Sequence, residues 1–139
     1  MAHLSESDLY QGTTAWNQYR RRYPDLKVEL WDVDLSESDF SGINLSHARL
    51  CLFRACNANL SGSDFSNADL SHANLCGANL RGANLCGANF WGANLSGANL
   101  SGADLRETKL RKAVLNDGIH GDAQFSGANT EGCLGCPED

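Results

Sequence analysis

The chain has 139 residues, of which 42% are hydrophobic, and its formal net charge is −6. That length suits one domain, and the acidic balance argues against direct binding of nucleic acid, which depends on neutralising phosphates. Its apolar runs are shorter than the roughly 18 residues of a membrane-spanning helix, so we also expect no membrane association.

Residues 1–27 are predicted to form an N-terminal helical cap. Ser5 followed by Asp8 is an imperfect helix-start signal, an apolar pattern at helical spacing follows, and Pro24 ends it. We predict one helix over about residues 6–22. The polar, acidic start does not read as a secretory signal, so we expect a cytoplasmic protein with reduced thiols.

Three large side chains of this segment are the predicted anchors of the cap, namely Leu9, Trp16 and Tyr23. At helical spacing they lie on one side of the helix, and we expect them to pack on the first layer of the following structure. The alternative for Trp16 is an exposed recognition residue.

A five-residue repeat dominates the rest of the chain. From Ala58 to Glu107 there are ten consecutive units of a small residue, Asn or Asp, Leu or Phe, and two freer positions. An α-helix would rotate successive Leu side chains by about 140°, and a strand would alternate them between faces. A backbone that turns a corner once per unit places every Leu inside, and four corners close a coil of twenty residues.

These units resemble the pentapeptide repeat family, whose pattern is A-(D/N)-L-x-x. The resemblance covers about residues 28–132 and implies an all-β solenoid, a right-handed quadrilateral β-helix, here of about five coils behind the N-terminal α-helical cap. The segment AWNQYRRRYPDL also looks like segments that precede the repeats in bacterial, notably cyanobacterial, members. Residues 133–139 are expected to be a flexible tail.

The clearest candidate surface for a partner is centred on Trp91. With twenty residues per coil, the patch carries an exposed Trp beside basic residues, a composition found at interaction hot spots; its members are Trp91, Arg49, Lys109 and Arg111. The alternative is an isolated surface Trp with no function.

Two pairs of cysteines are candidate redox or metal sites. Cys56 and Cys76 are twenty residues apart, so their Cα atoms should lie about 5 Å apart on neighbouring coils, within disulfide range. They are either a redox-sensitive staple or two independent thiols. Cys133 and Cys136 form half of a zinc site or a thioredoxin-like pair, although zinc needs further ligands.

No convergent set of catalytic groups stands out, so we predict a non-enzymatic protein with no cofactor or bound metal. The expected function is a scaffold for an unknown protein partner, as a monomer or a weak end-to-end dimer. The resemblance also implies an alternative, a DNA-mimicking regulator of DNA gyrase. That role needs a continuous acidic surface, whereas residues 71–103 contain no Asp or Glu.

Overall fold

Parallel pairing between residues twenty positions apart builds most of the molecule. The structure, a computed structural model, describes residues 4–138. Its longest paired stretch joins β1 (Glu29–Trp31) to β2 (Arg49–Cys51) in register. Single parallel bridges with the same offset continue along the chain as far as the pair Val114 and Leu134. Each coil therefore contains twenty residues.

Each coil has four sides, because one residue in every five is bridged to the next coil. Between the sides the backbone turns through a left-handed conformation, as at Gly97, where φ is 70°. Glycine adopts this conformation without steric strain. The Asn or Asp of each unit supports the turn: Asn99 Oδ1, for example, accepts a hydrogen bond from the Ser101 N–H at 3.0 Å.

The interior is a dry stack of Leu, Phe and Ala side chains. Leu60, Leu80 and Leu100 occupy the same place on successive coils and are completely buried. One unit exchanges its large and small residues: Phe53 stands at a small-residue position and Ala55 at a Leu position, and both are buried. This exchange conserves the volume that the two side chains fill together.

The N-terminal segment contains two helices, α1 (Glu6–Leu9) and α2 (Thr13–Arg22). The prediction of one helix over residues 6–22 is therefore wrong. The break lies at Gly12, whose φ of 105° is incompatible with a helix and which precedes α2 as its N-cap. Just before α1, Leu4 forms a parallel bridge to Val28 and adds one more rung to the ladder.

Side chains of α2 take the place of a missing coil beneath the segment from Gly42 to Ser46. Trp16 Nε1 donates to the Asn44 carbonyl oxygen at 2.7 Å, and Arg20 Nη2 donates to the Ser46 carbonyl oxygen at 2.7 Å. Asn17 bonds to the same edge through both atoms of its amide, accepting from the Asn44 N–H and donating to the Gly42 oxygen. Backbone groups that would otherwise be unpaired are thereby satisfied.

The three predicted anchors are placed differently from one another. Leu9 and Trp16 are fully buried, which excludes an exposed recognition role for Trp16. Tyr23 is 38% exposed, so its prediction as an anchor is wrong. The reason is that α2 ends at Arg22, and the ring of Tyr23 lies in the outer layer, 6.2 Å from the ring of Tyr19.

The ladder continues beyond the predicted end of the solenoid. Leu134 donates its N–H to the Ala113 oxygen and accepts from the Leu115 N–H, at 2.9 and 2.6 Å. The predicted boundary of the flexible tail at residue 133 is therefore too early.

Cys133 and Cys136 form a disulfide with their Cα atoms 5.8 Å apart, so the expectation of reduced thiols is wrong for this pair. Residue 139 of that tail lies outside the described residues.

Candidate interaction face

One corner of the solenoid exposes large apolar side chains on several coils. The pairing offset of twenty residues stacks the turn that follows β1 on those that follow positions 51, 71 and 91. Trp31 is 68% exposed, Leu52 59% and Trp91 41%. We call the set Trp31, Leu52, His72 and Trp91 the aromatic strip. Single exposed apolar side chains need no explanation, whereas an aligned set of them is typical of an interaction site.

Leu52 is the most unusual residue of the strip. Its φ is 57°, in the left-handed region that glycine or a polar residue occupies at the other corners, and its side chain points into solvent. A non-glycine residue in this conformation carries a steric cost of roughly 1–2 kcal/mol. The chain therefore holds an exposed Leu where a Gly would be less strained.

His72 connects Leu52 to Trp91. Leu52 and His72 line one shallow surface groove, and the His72 ring lies edge-on to the Trp91 ring with their centroids 4.9 Å apart. A Cβ added at Gly92 would lie 3.1 Å from His72 Nδ1, which shows that the imidazole covers this glycine. The strip is thus continuous from Leu52 to Trp91.

Basic side chains lie beside the Trp91 end of the strip. Lys109 is bridged to Asn89, two residues before Trp91, and the Arg111 carbonyl oxygen accepts the Gly92 N–H at 2.9 Å. Arg111 pairs with Glu131 at 3.4 Å across the next coil boundary. Among residues 4–138, Lys109 has no carboxylate within salt-bridge distance.

Arg49 does not belong with the other predicted patch residues. It shares a column with Lys109 but lies three coils away, about 14 Å at roughly 4.8 Å per coil. Its guanidinium is 3.8 Å from the Glu29 carboxylate. The predicted patch is therefore divided: Trp91, Lys109 and Arg111 lie together, and Arg49 lies beside the Trp31 end of the strip.

Sequence reasoning missed Leu52 and His72 as members of this surface. Both stand at the second free position of their units, which the repeat pattern leaves unconstrained. The available signal was the residue type: a Leu at a corner that otherwise carries Gly, Asn or other polar residues is out of place in a left-handed turn.

The two candidate thiols lie on another corner. Cys56 and Cys76 are both half-buried and unbridged, with their Sγ atoms 2.8 Å apart. Burial, and next the hydrogen bond with Cys76, raise the pKa of Cys56 to about 11. The structure therefore brings together the pair that the twenty-residue spacing selected.

A groove of about 490 Å³ separates the end of α2 from the first coil. Its wall includes Arg20, which is only 7% exposed and whose Nη1 has no hydrogen-bond partner. Burial lowers the pKa of this guanidinium. Because its Nη2 bonds to Ser46, the contacts of Arg20 are those of a residue that fastens the helix to the coil.

The outward-facing carboxylates accept hydrogen bonds inside the backbone turns. Hydrogen bonds from the Ser41 N–H and hydroxyl hold the pKa of Asp39 below its usual value, and the side chain of Arg106 does the same for the pKa of Asp104.

Within residues 4–138 no group of three His, Cys, Asp or Glu side chains is placed to hold a metal ion. No helix in that range is long and apolar enough to cross a bilayer.

Comparison with known proteins identifies the same five-residue repeat. The family model for pentapeptide repeats matches residues 27–51, 54–82 and 78–117, with 8 copies. A pentapeptide repeat protein from the cyanobacterium Cyanothece 51142 is similar to the chain at 28% identity and a TM-score of 0.76, over 85% of this chain and 96% of its own. None of the curated proteins compared with the chain matches it.

Two proteins from Nostoc are also similar. HetL, a pentapeptide repeat protein involved in heterocyst differentiation regulation, from Nostoc sp. strain PCC 7120, is 32% identical with a TM-score of 0.68. The match covers 77% of this chain and only 47% of HetL. The pentapeptide repeat protein alr5209 of Nostoc Pcc 7120 is 26% identical with a TM-score of 0.50, over 86% of this chain and 88% of its own.

Proposed function

The chain belongs to the pentapeptide repeat family, whose members fold as right-handed β-helices, and we propose that it is a non-enzymatic protein that binds a protein partner through its aromatic strip. In this proposal the rod of about five coils is the support and the helical cap at residues 1–27 closes one end. The strip places three exposed apolar side chains, Trp31, Leu52 and Trp91, along one corner of the rod.

The observation that carries the proposal is the conformation of Leu52. Folding places a large apolar side chain in water and in a strained left-handed turn, two unfavourable features at one position. Strained residues persist where the surrounding structure imposes them, and they cluster at functional sites. A partner that buries Leu52 would recover the free energy of removing its side chain from water.

The charges around the strip define the chemistry of the partner. Lys109 and Lys112 are exposed beside Trp91, and within the described part of the chain neither has an acidic side chain at salt-bridge distance. Arg111 adds a third cation on the same coil, although Glu131 already contacts it. We therefore propose a protein segment that carries an apolar side chain for the strip and carboxylates for these cations.

The comparisons are compatible with a role in regulation. HetL, which is 32% identical to the chain over the matched part, is involved in the regulation of heterocyst differentiation. A cytoplasmic location and a monomeric or end-to-end dimeric state remain part of the proposal. In a reducing cytosol the disulfide between Cys133 and Cys136 would have to be reversible.

The test uses synthetic peptides that carry Leu or Trp among Asp and Glu residues, with Lys-substituted versions of the same peptides. Binding to the folded protein is measured by fluorescence anisotropy at low and high salt. We expect the acidic peptides to bind, more weakly as salt screens the charges, and the Lys versions not to bind. Trp91→Ala and Leu52→Asp should each reduce affinity at least tenfold.

The matched control is Gln124→Ala, which alters an exposed outward residue away from the strip. It should leave peptide affinity unchanged. Equal binding of acidic and basic peptides, or an affinity that Trp91→Ala and Leu52→Asp leave intact, would refute the strip as the binding site.

A further inference from the structure

Cys56 and Cys76 occupy equivalent corners of two neighbouring coils. The Asn57 N–H donates to the Cys76 carbonyl oxygen at 2.9 Å, which fixes the two corners in register. Their Sγ atoms are 2.8 Å apart. A covalent S–S bond is about 2.0 Å long, so less than 1 Å of sulfur movement separates the thiol pair from a disulfide.

The pair is isolated from the other cysteines. Ser36 lies on the coil before Cys56 and its Oγ accepts the Cys56 N–H at 3.0 Å, and Ser96 is the corresponding residue on the coil after Cys76. Cys51 and Cys86 stand at positions that do not coincide with this column in the twenty-residue register. Oxidation at this corner therefore has one intramolecular product.

We propose that Cys56 and Cys76 are a redox site that a small disulfide of the glutathione type converts reversibly to a disulfide. The thiolate of one cysteine attacks a sulfur of the small disulfide and expels one small thiolate, which leaves a mixed disulfide. The second cysteine then loses its proton and attacks the protein sulfur of that intermediate, expelling the other small thiolate. The two protein thiols lose two protons and two electrons, and the small disulfide becomes two thiols.

The environment of the pair assigns the order of these steps. Because burial and the neighbouring thiol raise the pKa of Cys56 to about 11, Cys56 is a poor first nucleophile near neutral pH. Cys76 therefore makes the first attack.

The product joins two coils covalently. The bond would close a segment of twenty residues that includes the sides carrying Leu60 and Phe65. Closing such a loop restricts the unfolded chain and stabilises the fold. We expect the oxidised protein to unfold at a thermal midpoint higher by several degrees than the reduced protein.

The proposal is tested by peptide mapping of the full chain. The protein is equilibrated in glutathione buffers with an increasing fraction of oxidised glutathione, and the remaining free thiols are then alkylated. Trypsin cuts after Arg54 and Arg81, so both thiols lie in one peptide, which loses two hydrogen atoms when the bond forms. A second cleavage at Asp64 should give fragments that separate only after reduction. The disulfide between Cys133 and Cys136 lies in a different peptide and does not interfere.

Single variants separate the roles of the two thiols. Cys56→Ser should accumulate a mixed disulfide of glutathione at Cys76, and Cys76→Ser should react more slowly at Cys56. The matched double variant Cys51→Ser and Cys86→Ser should keep the redox response and the rise in thermal midpoint. Independent alkylation of both thiols after equilibration with excess oxidised glutathione would overturn the proposal, as would a mixed disulfide that never resolves.

Discussion

The indole Nε1 of Trp16 donates a hydrogen bond to the backbone oxygen of Asn44 at 2.7 Å, so a side chain of α2 replaces the amide of a coil that the fold does not have. Trp16→Phe keeps an aromatic ring in the buried site but leaves this oxygen without its donor. We expect the free energy of unfolding to fall by about 1–3 kcal/mol, measured by urea denaturation. Gln18→Ala, on the same helix but outside these contacts, should change it little.

The buried hydroxyls of Ser63 and Thr108 should have opposite effects when they are removed. Both residues are 1% exposed at small-residue positions, but Ser63 Oγ has no partner, whereas Thr108 Oγ1 donates to the Leu105 oxygen at 2.8 Å. Ser63→Ala should raise the free energy of unfolding by about 1 kcal/mol, and Thr108→Val should lower it by a similar amount. Destabilisation by Ser63→Ala would show that its hydroxyl has a partner in solution.

Stability should decrease in acid because carboxylates support the turns. The pKa of Asp39 is depressed by hydrogen bonds from Ser41. A carboxylate with a depressed pKa stabilises the fold above its unfolded pKa of about 3.9, and this contribution is lost as the pH falls through the folded pKa. Asp39→Asn keeps an acceptor and should narrow the difference in thermal midpoint between pH 7 and pH 3. Asp39→Ala should lower the midpoint already at pH 7.

Leu52→Gly should separate stability from binding. Glycine relieves the left-handed strain at φ 57° and removes an exposed apolar side chain, so we expect a gain of roughly 1 kcal/mol in the free energy of unfolding. Affinity for the acidic peptides should fall at least tenfold. Asn67→Gly, at φ 57° on a corner away from the strip, should give a smaller gain, because Asn tolerates the left-handed conformation better than Leu, with unchanged affinity. If Leu52→Gly preserves binding, Leu52 is not part of the site.

The alternative of gyrase regulation leads to a negative prediction. A mimic of DNA must present closely spaced negative charges along its length, but residues 71–103 carry no Asp or Glu and the nearby coil carries Lys109 and Lys112. We expect stoichiometric amounts of the purified chain to leave DNA supercoiling by gyrase unchanged. Inhibition in that assay would favour the alternative over the aromatic strip.

The period of the sequence was sufficient to predict the coil and its core. A five-residue repeat with Leu at one place has one arrangement that buries every Leu, and the chain adopts it, including the exchange of Phe53 and Ala55. The family expected from the repeat is confirmed. The N-terminal helices were harder to predict, because apolar spacing continues across Gly12 and does not reveal that its backbone leaves the helix.

The candidate site was only partly predictable. Trp91 was selected by its residue type, and the offset of twenty placed Lys109 and Arg111 near it. The same offset places Arg49 three coils from Lys109 and next to Glu29, so including Arg49 in the patch was wrong on the register alone, and the structure adds the ion pair with Glu29. Leu52 and His72 were missed because the repeat places no constraint on corner residues, and their importance depends on φ and on the contact between two rings.

The side chains of α2 also restrict how the protein can polymerise. A fibre of stacked β-helices needs free backbone at both ends of every subunit, but here Trp16, Asn17 and Arg20 already occupy the backbone edge from Gly42 to Ser46. Within residues 4–138, no helix covers the last coil in the same way. Backbone pairing with another subunit is therefore blocked along this side of the helical end, which works against amyloid-like growth in that direction.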